Sequence, residues 1–168
     1  MHRLLEALSH DNLVSLRKLL SSGEIDLTQE IEVGSEYELD EPDEIPLLLY
    51  AIQYHASLEA IEILVDAGLD ITEVNREGLG ALDIAIKYGR LDVLKLCYKH
   101  GTSLVESRRK SGITPIMLAT SLNDHTIVKY LLANGADIHA PDKYGMRAID
   151  YVKRMGHKSM LEFIENLK

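Results

Sequence analysis

The sequence predicts an all-α fold, a stack of paired antiparallel helices joined by short turns. Glycines recur in two series with a common step of 33 or 34 residues. The series are Gly68, Gly101, Gly135 and Gly78, Gly112, Gly145. Between them, apolar residues follow helical spacing, as in Ile127, Val128 and Leu131. No segment shows the sustained alternation of apolar and polar residues that indicates a strand.

Each repeat reads as a short helix, a turn, a second helix that ends at a glycine, and an extended connection. Glycine suits the helix end because it adopts the left-handed conformation there at no steric cost. Small residues keep the same step, at Ala51, Ala85 and Ala119, with Val152 next. Thr114 and Pro115 predict a helix start, with Thr as the cap and Pro at the first helical position.

These residues make the sequence resemble the ankyrin family, whose repeat is about 33 residues long with a Thr-Pro-Leu-His-x-Ala signature. The best match is Gly112-Ile113-Thr114-Pro115-Ile116-Met117-Leu118-Ala119, followed by Leu131-Leu132-Ala133-Asn134-Gly135-Ala136-Asp137. The resemblance implies an ankyrin-repeat solenoid of about five helix-turn-helix repeats, two of them capping repeats, with short turn fingers. At the family's His position the chain has Leu49, Asp83, Met117 and Asp150. We therefore expect stability to rest more on apolar stacking than on polar contacts between repeats.

The resemblance covers nearly the whole chain, so we predict one ankyrin-repeat domain over residues 1–168. The repeats are expected at about 1–27, 45–75, 76–108, 109–141 and 142–168. Segment 28–44 is an insertion with eight acidic residues and no basic ones. It is interpreted as a solvated, partly disordered loop, or as a docking arm for a basic partner. Replacing it by a short turn is expected to leave folding almost intact.

The charge of the chain is unevenly distributed. The net charge is −9, which argues against binding to nucleic acid or an anionic membrane. Residues 1–75 carry 17 acidic and three basic side chains, whereas residues 76–168 carry ten acidic and 15 basic ones. No apolar run approaches the length of a membrane-spanning helix. With no secretory signal and a single cysteine, Cys97, the chain is expected to be cytoplasmic.

No catalytic motif or metal site is recognisable. Cys97 and His100 could share one metal ion, but Cys97 occupies a core position of the repeat and lacks a second ligand pair. Asp83 and Asp150 stand one repeat apart, too far for an acid–base pair, and Asp124 beside His125 is assigned a structural role. The run Arg108-Arg109-Lys110 is interpreted as a solvated turn tip. We predict no enzyme activity, no cofactor and no metal.

The resemblance implies a binding scaffold whose concave face, built from first helices and finger tips, recognises another protein. The predicted partner-binding residues are Gln53, Tyr54, Arg76, Lys87, Tyr88, Lys110, Ile113, Leu122, Lys143, Tyr144, Arg154 and Met155. Tyr54, Tyr88, Leu122 and Met155 recur at the repeat step as an exposed aromatic and apolar stripe. They could instead pack over neighbouring repeats.

Two roles follow from this scaffold. The chain is interpreted as an adaptor, a monomer that joins a partner protein with a basic patch into a complex. The alternative is a dedicated inhibitor or immunity-type protein that blocks a basic enzyme or toxin with its acidic half.

Overall fold

The computed structural model describes residues 1–33, 43–75 and 78–167, and these contain ten helices and one two-stranded hairpin. The helices are α1 (His2–Ser9), α2 (Leu13–Ser21), α3 (Leu47–Gln53), α4 (Leu58–Asp66), α5 (Ala81–Lys87), α6 (Leu91–Lys99), α7 (Pro115–Ser121), α8 (His125–Ala133), α9 (Ala148–Met155) and α10 (Lys158–Glu165). The strands are β1 (Glu30–Val33) and β2 (Asp43–Pro46). The all-α prediction is confirmed, with this hairpin as an addition.

The chain divides into two compact units, an amino-terminal unit (Met1–Ile71) and a carboxy-terminal unit (Thr72–Lys168). That residues 1–168 form a single ankyrin-repeat domain stays a prediction. The amino-terminal unit contains two helix pairs, α1 with α2 and α3 with α4, and α2 also contacts α4. Its core is made of fully buried aliphatic side chains, among them Leu4, Leu16, Ile52, Ile61 and Leu64.

The hairpin arises from the insertion and packs against α3. Strands β1 and β2 are antiparallel, with Ile31 opposite Ile45, and only 4% of Ile31 is exposed. The interpretation of segment 28–44 as a solvated loop is therefore wrong for residues 30–33 and 43–44, while residues 34–42 lie outside the described part. Four residues of alternation in β1 are too few for a strand to be recognised from the sequence, but they bury one face of the hairpin.

This burial reverses the expectation that the insertion is dispensable. Ile31→Ala should lower the free energy of unfolding by about 2 kcal/mol, because it removes buried methyl groups and leaves a cavity. Urea denaturation of the whole chain measures the change. Glu32→Ala, at the exposed neighbouring position, is the matched control and should stay within about 0.5 kcal/mol of the parent. Equal stability of the two variants would show that the hairpin does not contribute to folding.

The carboxy-terminal unit contains three helix pairs, α5 with α6, α7 with α8 and α9 with α10. Its first helices lie side by side in the order α5, α7, α9. The small residues at the repeat step, Ala85, Ala119 and Val152, are fully buried. Small side chains let neighbouring helices approach closely, so this periodicity positions the three first helices as one row.

The turn between the two helices of each pair has the same backbone in every repeat. One residue has a positive φ between 50° and 74°, namely Asp11, His55, Gly89, Asn123 and Gly156. Asp, Asn and His adopt this left-handed conformation more often than other side chains do. The next residue caps the second helix with its side chain at Asn12 and Asp124, and in the second repeat the capping residue, Ser57, lies two residues after His55. The predicted cap at Thr114 and the first-turn Pro115 are likewise confirmed.

Lysines on the second helices of the carboxy-terminal unit lie over aromatic rings of the following repeat. The Nζ of Lys95 on α6 is 5.5 Å from the ring centre of Tyr130 on α8. The Nζ of Lys129 on α8 is 5.9 Å from the ring centre of Phe163 on α10. Such contacts are worth about 0.5–1 kcal/mol each at exposed sites. They join neighbouring second helices to one another.

Within the described residues, no helix combines the length and the apolar character needed to cross a membrane.

Candidate protein-binding surface

Each first helix of the carboxy-terminal unit is preceded by a finger, a tight turn with one repeating hydrogen bond. The N–H of Gly78 donates to the carbonyl of Asn75, Gly112 to Arg109, and Gly145 to Asp142. All three glycines have φ near +80°. The second glycine series of the sequence therefore marks the fingers, at the amino-terminal ends of α5, α7 and α9.

Neighbouring fingers contact each other directly at glycines. A Cβ atom on Gly78 would lie 2.0 Å from the carbonyl oxygen of Arg108 in the next finger. A Cβ atom on Gly112 would lie 2.9 Å from Cγ of Lys143 in the finger after that. The fingers thus form a stacked row, and the absent side chains of these glycines allow the close approach.

An ion pair links the second of these fingers to the preceding first helix. Nε of Arg109 lies 2.6 Å from Oδ1 of Asp83, and both side chains are largely buried. Oδ2 of Asp83 also accepts a hydrogen bond of 3.1 Å from the N–H of Gly80. The expectation that replacing the family's His leaves mainly apolar stacking is corrected here, because Asp83 makes a polar contact between repeats.

The last finger is held by a buried carboxylate. Oδ1 of Asp142 accepts hydrogen bonds from the N–H groups of Tyr144 (2.8 Å) and Met146 (2.9 Å), and Oδ2 accepts one of 2.5 Å from the hydroxyl of Tyr151. Burial opposes ionisation of Asp142, but these donors outweigh it and lower its pKa. The hydrogen bond to Asp142 and burial raise the pKa of Tyr151 to about 12. Tyr151 lies on α9, so this contact ties the finger to its helix.

The sequence-predicted stripe lies at the carboxyl ends of the first helices. In the carboxy-terminal unit, Tyr88 and Leu122 are the C-cap residues of α5 and α7, and Met155 is the last residue of α9. Leu122 is 42% exposed and Met155 57%, whereas Tyr88 is half-buried. Because α5, α7 and α9 lie side by side, these three residues share one edge of the row.

Two contacts hold residues of this edge in place. Nε2 of His157 lies 2.9 Å from the carbonyl oxygen of Ser121, which connects the start of α10 with the end of α7. Nζ of Lys87 lies 5.4 Å from the ring centre of the adjacent Tyr88.

Two further predicted residues, Gln53 and Tyr54, belong to the amino-terminal unit. Gln53 is the last residue of α3 and is half-buried, and Tyr54 is its C-cap and is 53% exposed. The ring of Tyr54 stacks on that of Tyr50, with 4.3 Å between centres and 26° between planes. Tyr54 thus presents a braced aromatic face at the same repeat position as Tyr88.

The predicted finger residues divide into exposed and supporting ones. Lys110, Lys143 and Tyr144 are exposed, Tyr144 to 78%. Ile113 is half-buried, and its carbonyl accepts a hydrogen bond of 2.7 Å from Ser107. Arg76 lies outside the described residues. The fingers and the helix ends form two rows, separated by first helices of seven or eight residues, which is about 10–12 Å.

On this surface the carboxylates have partners within the fold, whereas several cations do not form ion pairs with the described residues. The carboxylates Asp83, Asp142 and Asp150 all have internal partners, the last through the N–H of Arg147 at 2.8 Å. Among the described residues, no carboxylate forms an ion pair with any of four exposed cations. These are Lys87, Lys143, Lys153 and Arg154. Lys153 was missed from the sequence, where nothing distinguishes it from other surface lysines.

The repeat architecture is matched by known proteins. The family model for ankyrin repeats (many copies) matches residues 48–96, 82–132 and 117–164. These matches extend over most of the chain. The chain belongs to the ankyrin-repeat family. Ankyrin repeats generally mediate binding to other proteins, and ankyrin-repeat proteins are generally scaffolds without catalytic activity.

Relatives of this ankyrin-repeat chain have diverse names. YahD of Escherichia coli (strain K12), described as an ankyrin repeat protein, is 30% identical over 112 residues, which cover 64% of this chain and 56% of YahD. Glycerophosphocholine phosphodiesterase gde1 of Schizosaccharomyces pombe is 30% identical over 58% of this chain but only 8% of its own length. The nuclear factor NF-kappa-B p105 subunit of Gallus gallus is 29% identical over 58% of this chain and 10% of its own length. The chain thus matches about half of YahD and small parts of the others.

The candidate reactive groups of these ankyrin repeats have structural roles. Cys97 is fully buried, and burial raises the pKa of its thiol to about 12, which confirms its assignment to the core. Asp124 caps α8 by accepting from the N–H groups of Thr126 and Ile127. Within the described part of the chain, no three His, Cys, Asp or Glu side chains are grouped so that they could hold a metal ion.

Proposed function

We propose that this ankyrin-repeat chain is a non-enzymatic adaptor that binds a partner protein through the carboxyl ends of its first helices and its fingers. The observation that carries this proposal is the exposure of large apolar side chains at one repeat position. Tyr54, Leu122 and Met155 are 42–57% exposed. Together with Tyr88, which lies between Tyr54 and Leu122 in the sequence, they follow one another at the repeat step. Exposed apolar groups that recur at one repeat position favour recognition of another macromolecule.

The local geometry favours binding over a purely structural role for these side chains. Tyr54 is braced by Tyr50, so little side-chain entropy would be lost when a partner covers its free face. The carboxylates Asp83, Asp142 and Asp150, which lie at the amino-terminal ends of the first helices, are engaged in internal contacts. We further propose that the chain acts as a monomer without a cofactor. We also propose a reducing compartment such as the cytoplasm, since the one cysteine of the chain is a free thiol buried in the core.

The inhibitor role stays a second candidate because of the acidic amino-terminal half. The 17 acidic residues among 1–75 would complement the surface of a basic enzyme or toxin. The two roles differ in whether the bound partner loses its own activity, which an assay of the captured partner with and without the chain measures.

The binding surface is tested with the partner captured from native cell extract and identified by mass spectrometry. Tyr54→Ala combined with Tyr88→Ala should weaken binding of that partner at least about thirtyfold, since truncating one central aromatic anchor commonly costs about 2 kcal/mol. Calorimetry of the purified pair gives the dissociation constants, and circular dichroism checks that the double variant folds.

Tyr98→Ala is the matched control, because Tyr98 is 49% exposed but lies on the second helix α6. It should bind the partner as the parent does. If the folded double variant binds as tightly as the parent, the stripe is not the binding site and the acidic insertion becomes the leading candidate.

A further inference from the structure

The carboxy-terminal unit has a positively charged face whose apolar side chains are exposed beside the charges. We name it the basic surface and define it by Lys87, Leu122, Lys143, Tyr144, Arg154 and Met155. It combines the finger row, represented by Lys143 and Tyr144, with the row of helix ends. All six residues are exposed, and Tyr144 is the most exposed of them at 78%.

The basic surface is positively charged because the carboxylates near its fingers are already engaged in contacts within the fold. Asp83 is engaged by Arg109, Asp142 by Tyr151 and two backbone N–H groups, and Asp150 by Arg147. Arg109 and Arg147 are therefore neutralised by ion pairs within the fold. The remaining cations of this surface are left without a carboxylate among the described residues, in a chain whose net charge is −9.

We infer that the basic surface binds a short acidic segment of the partner protein, with apolar side chains between its carboxylates. This inference rests on the proposed function and names the chemistry of the partner at that same site. Carboxylates would pair with Lys87, Lys143 and Arg154, and apolar side chains would cover Leu122 and Met155. Such complementary charges orient the segment and speed its encounter, while the apolar contacts slow its release.

The spacing of the two rows suits an extended peptide. The first helices separate the fingers from the helix ends by about 10–12 Å. An extended chain advances about 3.3 Å per residue, so carboxylates three or four residues apart can reach both rows. Between carboxylates that pair with Lys87 and Arg154, both in the row of helix ends, the intervening apolar side chains would lie over Leu122.

A protein segment fits this surface better than a nucleic acid does. A nucleic acid strand carries one phosphate per nucleotide along its whole length and needs a basic track to match. The three cations of the basic surface are divided between two rows and do not form a continuous track. Exposed Leu122 and Met155 offer no hydrogen bonds to bases, but they can be covered by the apolar side chains of a peptide.

The inference is tested by selecting binders from a displayed library of random peptides of about twelve residues, long enough to span both rows. The immobilised whole chain should retain peptides rich in Asp and Glu with Leu, Ile or Phe between them. The retained peptide, labelled for fluorescence anisotropy, should bind the parent at least about tenfold more tightly than its own Glu→Gln and Asp→Asn version, and less tightly as salt is raised from about 50 to 300 mM.

Charge reversal then locates the site. Lys87→Glu combined with Lys143→Glu and Arg154→Glu should weaken binding of the peptide at least about tenfold, because three attractions become repulsions. The matched control carries Lys18→Glu, Lys99→Glu and Lys158→Glu, which change the net charge equally at exposed positions outside the basic surface. It should bind within about twofold of the parent, and circular dichroism should show both variants folded.

Several results would overturn the inference. Retained peptides without acidic bias that still depend on Tyr88 would reject it and leave the proposed function standing. Failure to retain any peptide, or equal binding by the triple variant and its control, would also reject it. A single-stranded oligothymidylate that binds more tightly than the acidic peptide, and is lost in the triple variant, would assign the surface to nucleic acid instead.

Discussion

Gly78→Ala should lower the free energy of unfolding by about 4 kcal/mol. Gly78 has φ +81°, a backbone conformation that costs an alanine about 1 kcal/mol. The new Cβ atom would lie 2.0 Å from the carbonyl oxygen of Arg108 and 2.8 Å from Cα of Arg109. Both are backbone atoms, so relief requires the two fingers to separate, and overpacking of this kind commonly costs about 1–3 kcal/mol.

Separation of the fingers would also disturb contacts that the second finger makes. Arg108 donates to the carbonyl oxygen of Thr72, and Arg109 pairs with Asp83. Loss of either contact adds to the cost of the substitution. The expected result is therefore a large loss in the chemical-denaturation midpoint, accompanied by greater proteolytic sensitivity of the loop around Lys110.

Gly145→Ala is the matched control for this prediction. Gly145 occupies the same finger position with φ +77°, but no atom lies within 4 Å of the position that its Cβ would take. Its substitution should cost only the backbone strain, about 1 kcal/mol. Equal losses for the two variants would mean that strain alone determines the cost and that contact between fingers contributes nothing.

The helical architecture could be predicted from the sequence because it is local and repeats. Each repeat supplies its own stop signals, so Gly68, Gly101 and Gly135 end second helices and Pro115 begins a first helix. A signal that recurs at a fixed step is stronger than any single instance of it. The same reasoning assigned Cys97 to the core, because its slot in other repeats holds apolar residues.

The hairpin and the finger contacts could not be predicted in this way because each occurs once or joins distant positions. Residues 30–33 pair with residues 43–46, where the insertion interrupts the repeat. Asp83 was recognised as a departure from the family signature, but its partner Arg109 lies 26 residues away in a run that had been interpreted as solvated. Periodicity gives the position of a residue within its repeat, not which side chain from the next repeat will face it.

The candidate surface was predictable as a set of positions but not as a charge pattern. The repeat step indicated which residues stand at helix ends, and the exposure of Leu122 and Met155 follows from those positions. The net charge of a segment, however, does not reveal which ions neutralise one another. That required the distances between Asp83, Asp150 and their arginines. Arg109 and Lys143 carry the same charge in the sequence and have different roles in the fold.

Asp142→Ala should lower the free energy of unfolding by about 3 kcal/mol. The substitution removes a buried carboxylate that accepts from two backbone N–H groups and from the hydroxyl of Tyr151. A hydrogen bond to a charged group contributes about 1.5–3 kcal/mol, and water can reach part of the vacated site at the finger. Asp142→Asn keeps an acceptor for the backbone, as Asn75 does for the N–H of Leu79 in an earlier finger, and should cost about 1 kcal/mol.

The pH dependence of the free energy of unfolding separates two contributions of Asp142, the charge of its carboxylate and the hydrogen-bond acceptor that Asn would retain. The pKa of Asp142 in the folded chain is below its ordinary value of 3.8, so its charge contributes fully above that pH and the contribution is lost as pH falls through the lowered pKa. The gap between the parent and Asp142→Asn should therefore be largest near neutral pH and should narrow below about pH 4. Tyr151→Phe should raise the pKa of Asp142 and shift this narrowing to higher pH. Denaturation at a series of pH values measures both effects, and a gap that stays constant into acid would show that the Asp142 charge does not stabilise the last finger.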